Sequence, residues 1–206
     1  MSTISTLATT LPVLDDRGRR LLFTDARTAN TFTDQPVTDE QLAQIYELTK
    51  FGPTSANTSP LRILFTRLGE GRDRLLPFMN EGNRAKTAAA PVTAILANDS
   101  AFHERIPELL PFKPQLREVF AGAPALREAT ARYNGALQAA YFIFGVRAVG
   151  LAAGPMSGFD ASAVDAEFFA GTTWQSHLVV NIGYPGADAW FPRLPRLHHD
   201  EVVRYA

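Results

Sequence analysis

The chain has 206 residues, 46% hydrophobic and 20% charged, and its 20 Lys+Arg against 21 Asp+Glu leave a formal net charge of −1. That is a globular composition, and near-neutrality gives no electrostatic case for DNA, RNA or an anionic membrane as partner. Cysteine is absent, which excludes disulfides, thiolate metal sites, iron–sulfur clusters and cysteine nucleophiles. No apolar run approaches the roughly 20 residues of a membrane span. The start of the chain also lacks the basic and apolar regions of a signal peptide, so a cytoplasmic protein is expected. Residues 1–20 read as a loosely held arm, with Pro12 and the charged run Asp15–Arg20 breaking any pattern, ahead of a single domain over 21–206.

The first clear element is a helix opened by Thr38-Asp39-Glu40-Gln41, where Gln41 sits three residues after Thr38 as in a capping box. Leu42, Ile45, Tyr46 and Thr49 share one face of it, and Phe51-Gly52-Pro53 ends it. Past the loop Gly52–Pro60, Leu61–Arg67 is strand-like, and a helix is predicted from Arg72 to about Met79. Pro91–Ala97 is a short run apolar on both faces, as a buried strand is. From about Ala125 to Val149 a long helix is predicted, with Tyr133, Leu137, Ala140, Tyr141, Phe144 and Ala148 on one stripe. It is nearly apolar all round from Ala136, so it either lies at the centre of the core or presses on a partner chain. A helix over Ala161–Phe169 and a buried strand over His177–Tyr184 complete the series. Helices and strands mix without strict alternation, which predicts an α+β fold in three α/β/α layers, not a doubly wound one.

Familiar catalytic signatures are missing: there is no GxGxxG, GxxxxGK[ST], GxSxG or HExxH. His103, His177, His198 and His199 suggest no metal site and read as core or surface histidines. Small polar, glycine and proline loops carrying isolated cations remain. They are Asp25–Phe32, Gly52–Asn57, Asn83–Lys86, Gly154–Asp160 and Arg193–Arg196. Each alone is what an ordinary turn looks like.

Together, in this order, they resemble the nitroreductase-like FMN oxidoreductases over nearly the whole chain. Arg27-Thr28-Ala29-Asn30-Thr31-Phe32 followed by Pro36-Val37 is similar to the family's N-terminal flavin-binding segment. Pro53-Thr54-Ser55-Ala56-Asn57-Thr58-Ser59-Pro60 resembles its P-S-x-x-N-x-Q-P loop, and Asn83 with Lys86 its N-x-x-K. Pro155-Met156-Ser157-Gly158-Phe159-Asp160 resembles the flavin-facing P-x-x-G-F-D, and Arg193-Leu194-Pro195 the phosphate-binding R-L-P. The strings FTDART, GPTSAN, APVTAI, GPMSGFD and NIGY…RLPR are similar to the subgroup that reduces malonic semialdehyde to 3-hydroxypropionate in pyrimidine utilisation.

The resemblance implies a mostly antiparallel mixed sheet flanked by helices, in an intertwined homodimer. It implies FMN as cofactor, held by Arg27, Thr28, Asn30, Pro53, Thr54, Ser55, Asn57, Asn83, Lys86, Pro155, Met156, Ser157, Gly158 and Arg193, with the Gly52–Pro60 loop serving the partner's flavin. NADPH or NADH would reduce the flavin in a ping-pong hydride transfer through N5, so no protein residue need be catalytic. A cation for the substrate carboxylate is expected from Arg105, Lys113, Arg117 or Arg62, and Phe112 and Phe120 could form a lid over the ring. Two other readings stay open: a broad nitroaromatic or quinone reductase, and a flavin-binding dimer without turnover.

Overall fold

The computed structural model describes residues 11–206; the first half of the expected arm lies outside them. The second half is not patternless. Asp15 accepts from the Gly18 N–H at 2.7 Å and opens a short helix, α1 (Asp16–Arg19), continued by one π turn over Arg20–Thr24. The run Asp15–Arg20 therefore serves as a cap and first turn.

Helix α2 (Asp39–Thr49) starts where predicted. The Thr38 hydroxyl accepts from Gln41 N, and the Gln41 side chain accepts from Thr38 N. Leu42, Ile45 and Thr49 are buried, but Tyr46 is 52% exposed and points outward. Strand β1 (Leu61–Arg67) is followed by helix α3 (Glu70–Leu75) and a 3₁₀ turn over Leu76–Phe78. The single helix predicted over 72–79 thus starts earlier and breaks at Pro77, which cannot donate to an α-helical ladder.

Next come α4 (Glu81–Ala89), strand β2 (Val92–Asp99), the short helices α5 (Ile106–Leu109) and α6 (Leu116–Gly122), and the long α7 (Pro124–Ala148). Strand β3 (Ala152–Met156), α8 (Ala161–Phe168), strand β4 (Trp174–Gly183) and a last turn α9 (His199–Val202) follow. β3 takes the first half of the Gly154–Asp160 segment, which the sequence had suggested as loop. Among the described residues no helix is long and apolar enough to cross a membrane.

The four strands run in the order β1-β2-β4-β3, and every pairing is antiparallel, so the sheet is more uniform than the mixed one expected. β2, buried at every position, forms its centre. One face packs Leu42, Ile45, Phe142 and Val146 of α2 and α7 against Ala94, Leu96, Val180 and Ile182. The other packs Leu75, Met79, Val164 and Phe169 against Ile95, Ala97 and Val179. Helices thus cover both faces in the expected three layers.

α7 departs most from expectation. Its buried face is Ala131, Asn134, Gly135, Gln138, Ala139, Phe142, Gly145 and Val146. The predicted apolar stripe lies on the other side, with Tyr133 64% exposed and Phe144 only half-buried. The inner face is rich in small and amide residues because α7 lies close to its neighbours. A Cβ on Gly145 would stand 3.1 Å from the Ile45 carbonyl, and one on Gly135 only 1.6 Å from Asn98 Oδ1.

Candidate functional site

β3 is an edge strand, and it gathers most of the predicted residues. The Ala29 N–H donates to the Ala153 carbonyl at 3.0 Å, which ties the Arg27–Phe32 segment to the open edge. By the alternation of an antiparallel ladder, Ala153 and Pro155 both turn their backbone groups outward. Pro155 is tolerated there because its missing N–H costs the β4 pairing nothing. Gly154 allows the close approach, since a Cβ there would meet the Ala29 carbonyl at 2.7 Å.

Arg27 and Arg193 form a reciprocal clasp. Arg27 donates to the Phe191 carbonyl at 3.1 Å, while Arg193 donates to the carbonyls of Thr24 and Ala26. Both guanidiniums line one cleft of about 390 Å³ with Thr28, Asn30 and Arg196. No carboxylate lines it, so the cleft suits an anion. The Arg196 contribution was not predicted; the basic repeat in Arg-Leu-Pro-Arg was the available signal.

At the other end of β3 the turn Ser157–Asp160 lies against the start of α4. The Gly158 carbonyl accepts from Asn80 N at 3.1 Å and from Asn83 Nδ2 at 2.9 Å. A Cβ on Gly158 would stand 2.6 Å from that amide. Asn80, absent from the predicted set, thus fixes this turn as much as Asn83 does. Among the described residues the N–H groups of Ser157 and Gly158 have no acceptor, and the Lys86 ammonium has no side-chain or carbonyl partner. Beneath them Met156 is buried against Thr87, whose hydroxyl lies 3.9 Å from its sulfur. Ala153 and Met156 are three residue steps apart on β3, so the two clusters stand roughly 10 Å apart along the strand.

The Pro53–Asn57 loop is elsewhere. It precedes β1, at the opposite edge of the sheet and roughly 14 Å across three strand spacings from β3. Ser55 N donates to Asn134 Oδ1 at 2.7 Å, Asn57 Nδ2 to the Leu109 carbonyl at 2.8 Å, and the Tyr141 hydroxyl to the Pro53 carbonyl at 3.1 Å. Thr54 Oγ1 accepts from Ser59 N at 3.2 Å. Ala56, Asn57 and Ser59 all adopt positive φ, at 51°, 52° and 42°, a conformation non-glycine residues keep only when the surroundings hold it. Thr58 Oγ1 is buried there without a partner.

The residues expected to meet a substrate are mostly committed. Arg62 pairs with Asp99 at 2.6 Å, Arg105 with Glu108 at 2.6 Å, and Arg117 with Glu104 and Glu118. Phe120 is a core residue, not a lid: it is buried with its ring 5.2 Å from Phe102. Phe112 is 75% exposed, and Lys113 carries no side-chain partner among the described residues. Among the described residues no group of three or more His, Cys, Asp or Glu is placed to bind a metal ion.

Residues 24–184 match the nitroreductase family. The chain belongs to that family. It is 59% identical over 194 residues, 93% of this chain and 97% of the other, to an inferred NADH dehydrogenase/NAD(P)H nitroreductase of Streptomyces griseus. One from Streptomyces coelicolor is 53% identical over 196 residues, covering 95% and 97% of the two chains. In fold it is similar to an inferred nitroreductase of Exiguobacterium sibiricum crystallised with FMN. That likeness has a TM-score of 0.82 at 17% identity, over 96% of this chain and 100% of that one. Arg193 lies outside the matched residues, so only the clasp with Arg27 attaches it to the site.

Proposed function

We propose that this protein is a cytoplasmic, homodimeric, FMN-dependent NAD(P)H oxidoreductase that reduces malonic semialdehyde to 3-hydroxypropionate. The observation that carries the flavin part is the anion cleft at one end of β3, paired with acceptor-free backbone N–H groups at the other. The donor set fits FMN. Arg27 and Arg193 suit a phosphate dianion, Thr28 and Asn30 offer hydrogen bonds to a ribityl chain, and the ammonium of Lys86, at the other end of β3, offers the cofactor a further donor. Ser157 and Gly158 present two N–H donors in a turn narrow enough for a flat ring to approach. When bound, FMN supplies a two-electron carrier between a reduced nicotinamide and an acceptor. The chain's own residues hold the phosphate, shape the turn and keep the ring edge reachable.

The loop at the opposite edge fits a dimer. Pro53, Thr54, Ser55 and Asn57 stand across the sheet from β3, and the positive φ of Ala56, Asn57 and Ser59 in their loop is held by its neighbours, as in a group serving a partner's site. The exposed side of α2 and α7, with Tyr46, Leu48, Phe51 and Tyr133, is an apolar face of the kind that buries against a second copy.

The choice of acceptor rests on the subgroup resemblance, with Lys113 as the uncommitted cation for a carboxylate. One observation favours the second reading, a nitroaromatic or quinone reductase: three of the four candidate cations are already neutralised by carboxylates. Purified protein titrated with FMN should gain a bound chromophore near 450 nm. It should then oxidise NADPH or NADH faster with malonic semialdehyde than with a nitroaromatic, and Lys113→Met should raise KM for the aldehyde alone. Turnover with the nitroaromatic only would establish the second reading, and a bound flavin with no turnover a non-catalytic dimer.

A further inference from the structure

Arg72 is 1% exposed, yet no carboxylate accepts from it among the described residues. A buried cation without an anion is costly unless its N–H groups are all engaged. Here the fork is spread over carbonyls. Arg72 donates to the Thr87 and Ala90 carbonyls, the latter at 2.8 Å, and to the Thr66 carbonyl at 3.2 Å. Burial pushes its pKa down to about 10, with Asp73 opposing, so it stays charged at neutral pH. Two of its acceptors, the Thr87 carbonyl (which also accepts from Ala90 N at 3.4 Å) and the Ala90 carbonyl, lie at the C-terminal end of α4, where a positive charge is favoured by the helix dipole.

The gripped turn is the one that carries the site. Lys86 directly precedes Thr87. The Thr87 hydroxyl meets Met156 of β3 and accepts from Asn181 Nδ2 at 3.3 Å, while Asn181 Oδ1 accepts from Thr93 at 2.7 Å. A buried polar chain thus runs from Arg72 through Thr87 to β3 and the sheet centre. We propose that Arg72 is a positioning residue for the cofactor site, fixing the last turn of α4 so that Lys86 and Met156 stand correctly on either side of Thr87. This rests on the FMN reading above.

The test is a double-mutant cycle of Arg72→Lys and Lys86→Met, with FMN affinity read from quenching of flavin fluorescence. Lysine keeps the charge but cannot span three carbonyls as the planar fork does. Arg72→Lys should weaken FMN binding about tenfold, a coupling of the size found between residues in contact. The double variant should bind FMN no more weakly than Lys86→Met alone. In the cofactor-free protein, amide exchange over Lys86–Ala89 should accelerate in Arg72→Lys. A lowered Tm with unchanged FMN affinity, or fold-changes that multiply in the double variant, would make Arg72 a core residue only and overturn the proposal. Failure of the wild-type protein to quench flavin fluorescence overturns the cofactor reading and this inference together. The wild-type titration thereby separates that failure from a failure of Arg72 alone.

Discussion

His177 shows how a single residue's setting becomes a solution property. It sits at the β-bulge, between the pairs Leu96↔Leu178 and Ala97↔Ser176, and its Nε2 is buried without a partner. Burial pushes its pKa below the ordinary 6.5, and His103 moves the same way, chiefly through burial, then through Arg127, against the pull of Glu104. The unfolded chain then binds protons that the folded one refuses. Stability contributed by these neutral imidazoles is therefore complete above about pH 6.5 and declines as the pH falls below it. Tm should drop between pH 7.5 and 5.5, and His177→Leu should flatten that slope. An identical slope in the variant would remove His177 from the account. The same scale explains why the bulge at His177 and the backbone of the 52–60 loop were not legible in the sequence: a bulge and a run of positive φ are imposed by neighbours, not by residue type.

At the scale of elements, α2 is the clearest case of local chemistry deciding structure. Thr38 and Gln41 satisfy each other's backbone N–H groups whatever the rest of the fold does. Thr38→Ala should cost about 1 kcal/mol in urea unfolding, with the slope of the transition unchanged. A loss below the error of the measurement would mean that α2 is fixed by its packing on α7 alone. α7 itself is the counter-example. Its large apolar residues mark the outer face, while Gly135, Gly145 and Ala139 turn inward because only small residues admit the close approach of Asn98 and α2. β3 was hidden for a related reason: Gly154-Pro155 in its middle reads as a turn, yet at a sheet edge Pro155 loses no ladder bond.

For the whole molecule, Leu48 of α2 and Tyr141 and Phe144 of α7 line one apolar surface, and the Phe144 ring lies 5.1 Å from that of Phe23. Sedimentation should show a dimer. Phe144→Glu should shift it toward monomer and weaken FMN binding at least tenfold if the Pro53–Asn57 loop completes the partner's site. A monomeric variant with undiminished FMN affinity would place the whole cofactor site within one chain.

Periodicity, caps and apolar runs determined α2, β1, β2, α7, α8 and β4 from the sequence alone, because those signals act within a few residues; β3, α4, α5 and α6 were not legible in them. β1 from Leu61 to Arg67 and the start of α2 are the firmest examples. The family was legible in the sequence as a resemblance of short polar motifs in a fixed order, and the match over residues 24–184 shows it. The tertiary structure decided which motifs meet. It joined Arg27 to Arg193 across 166 residues of chain and set Asn83 beneath Gly158. It also parted the Pro53–Asn57 loop from both by the width of the sheet. Strand order fixes those distances, and strand order is a property of the whole core that no single segment encodes.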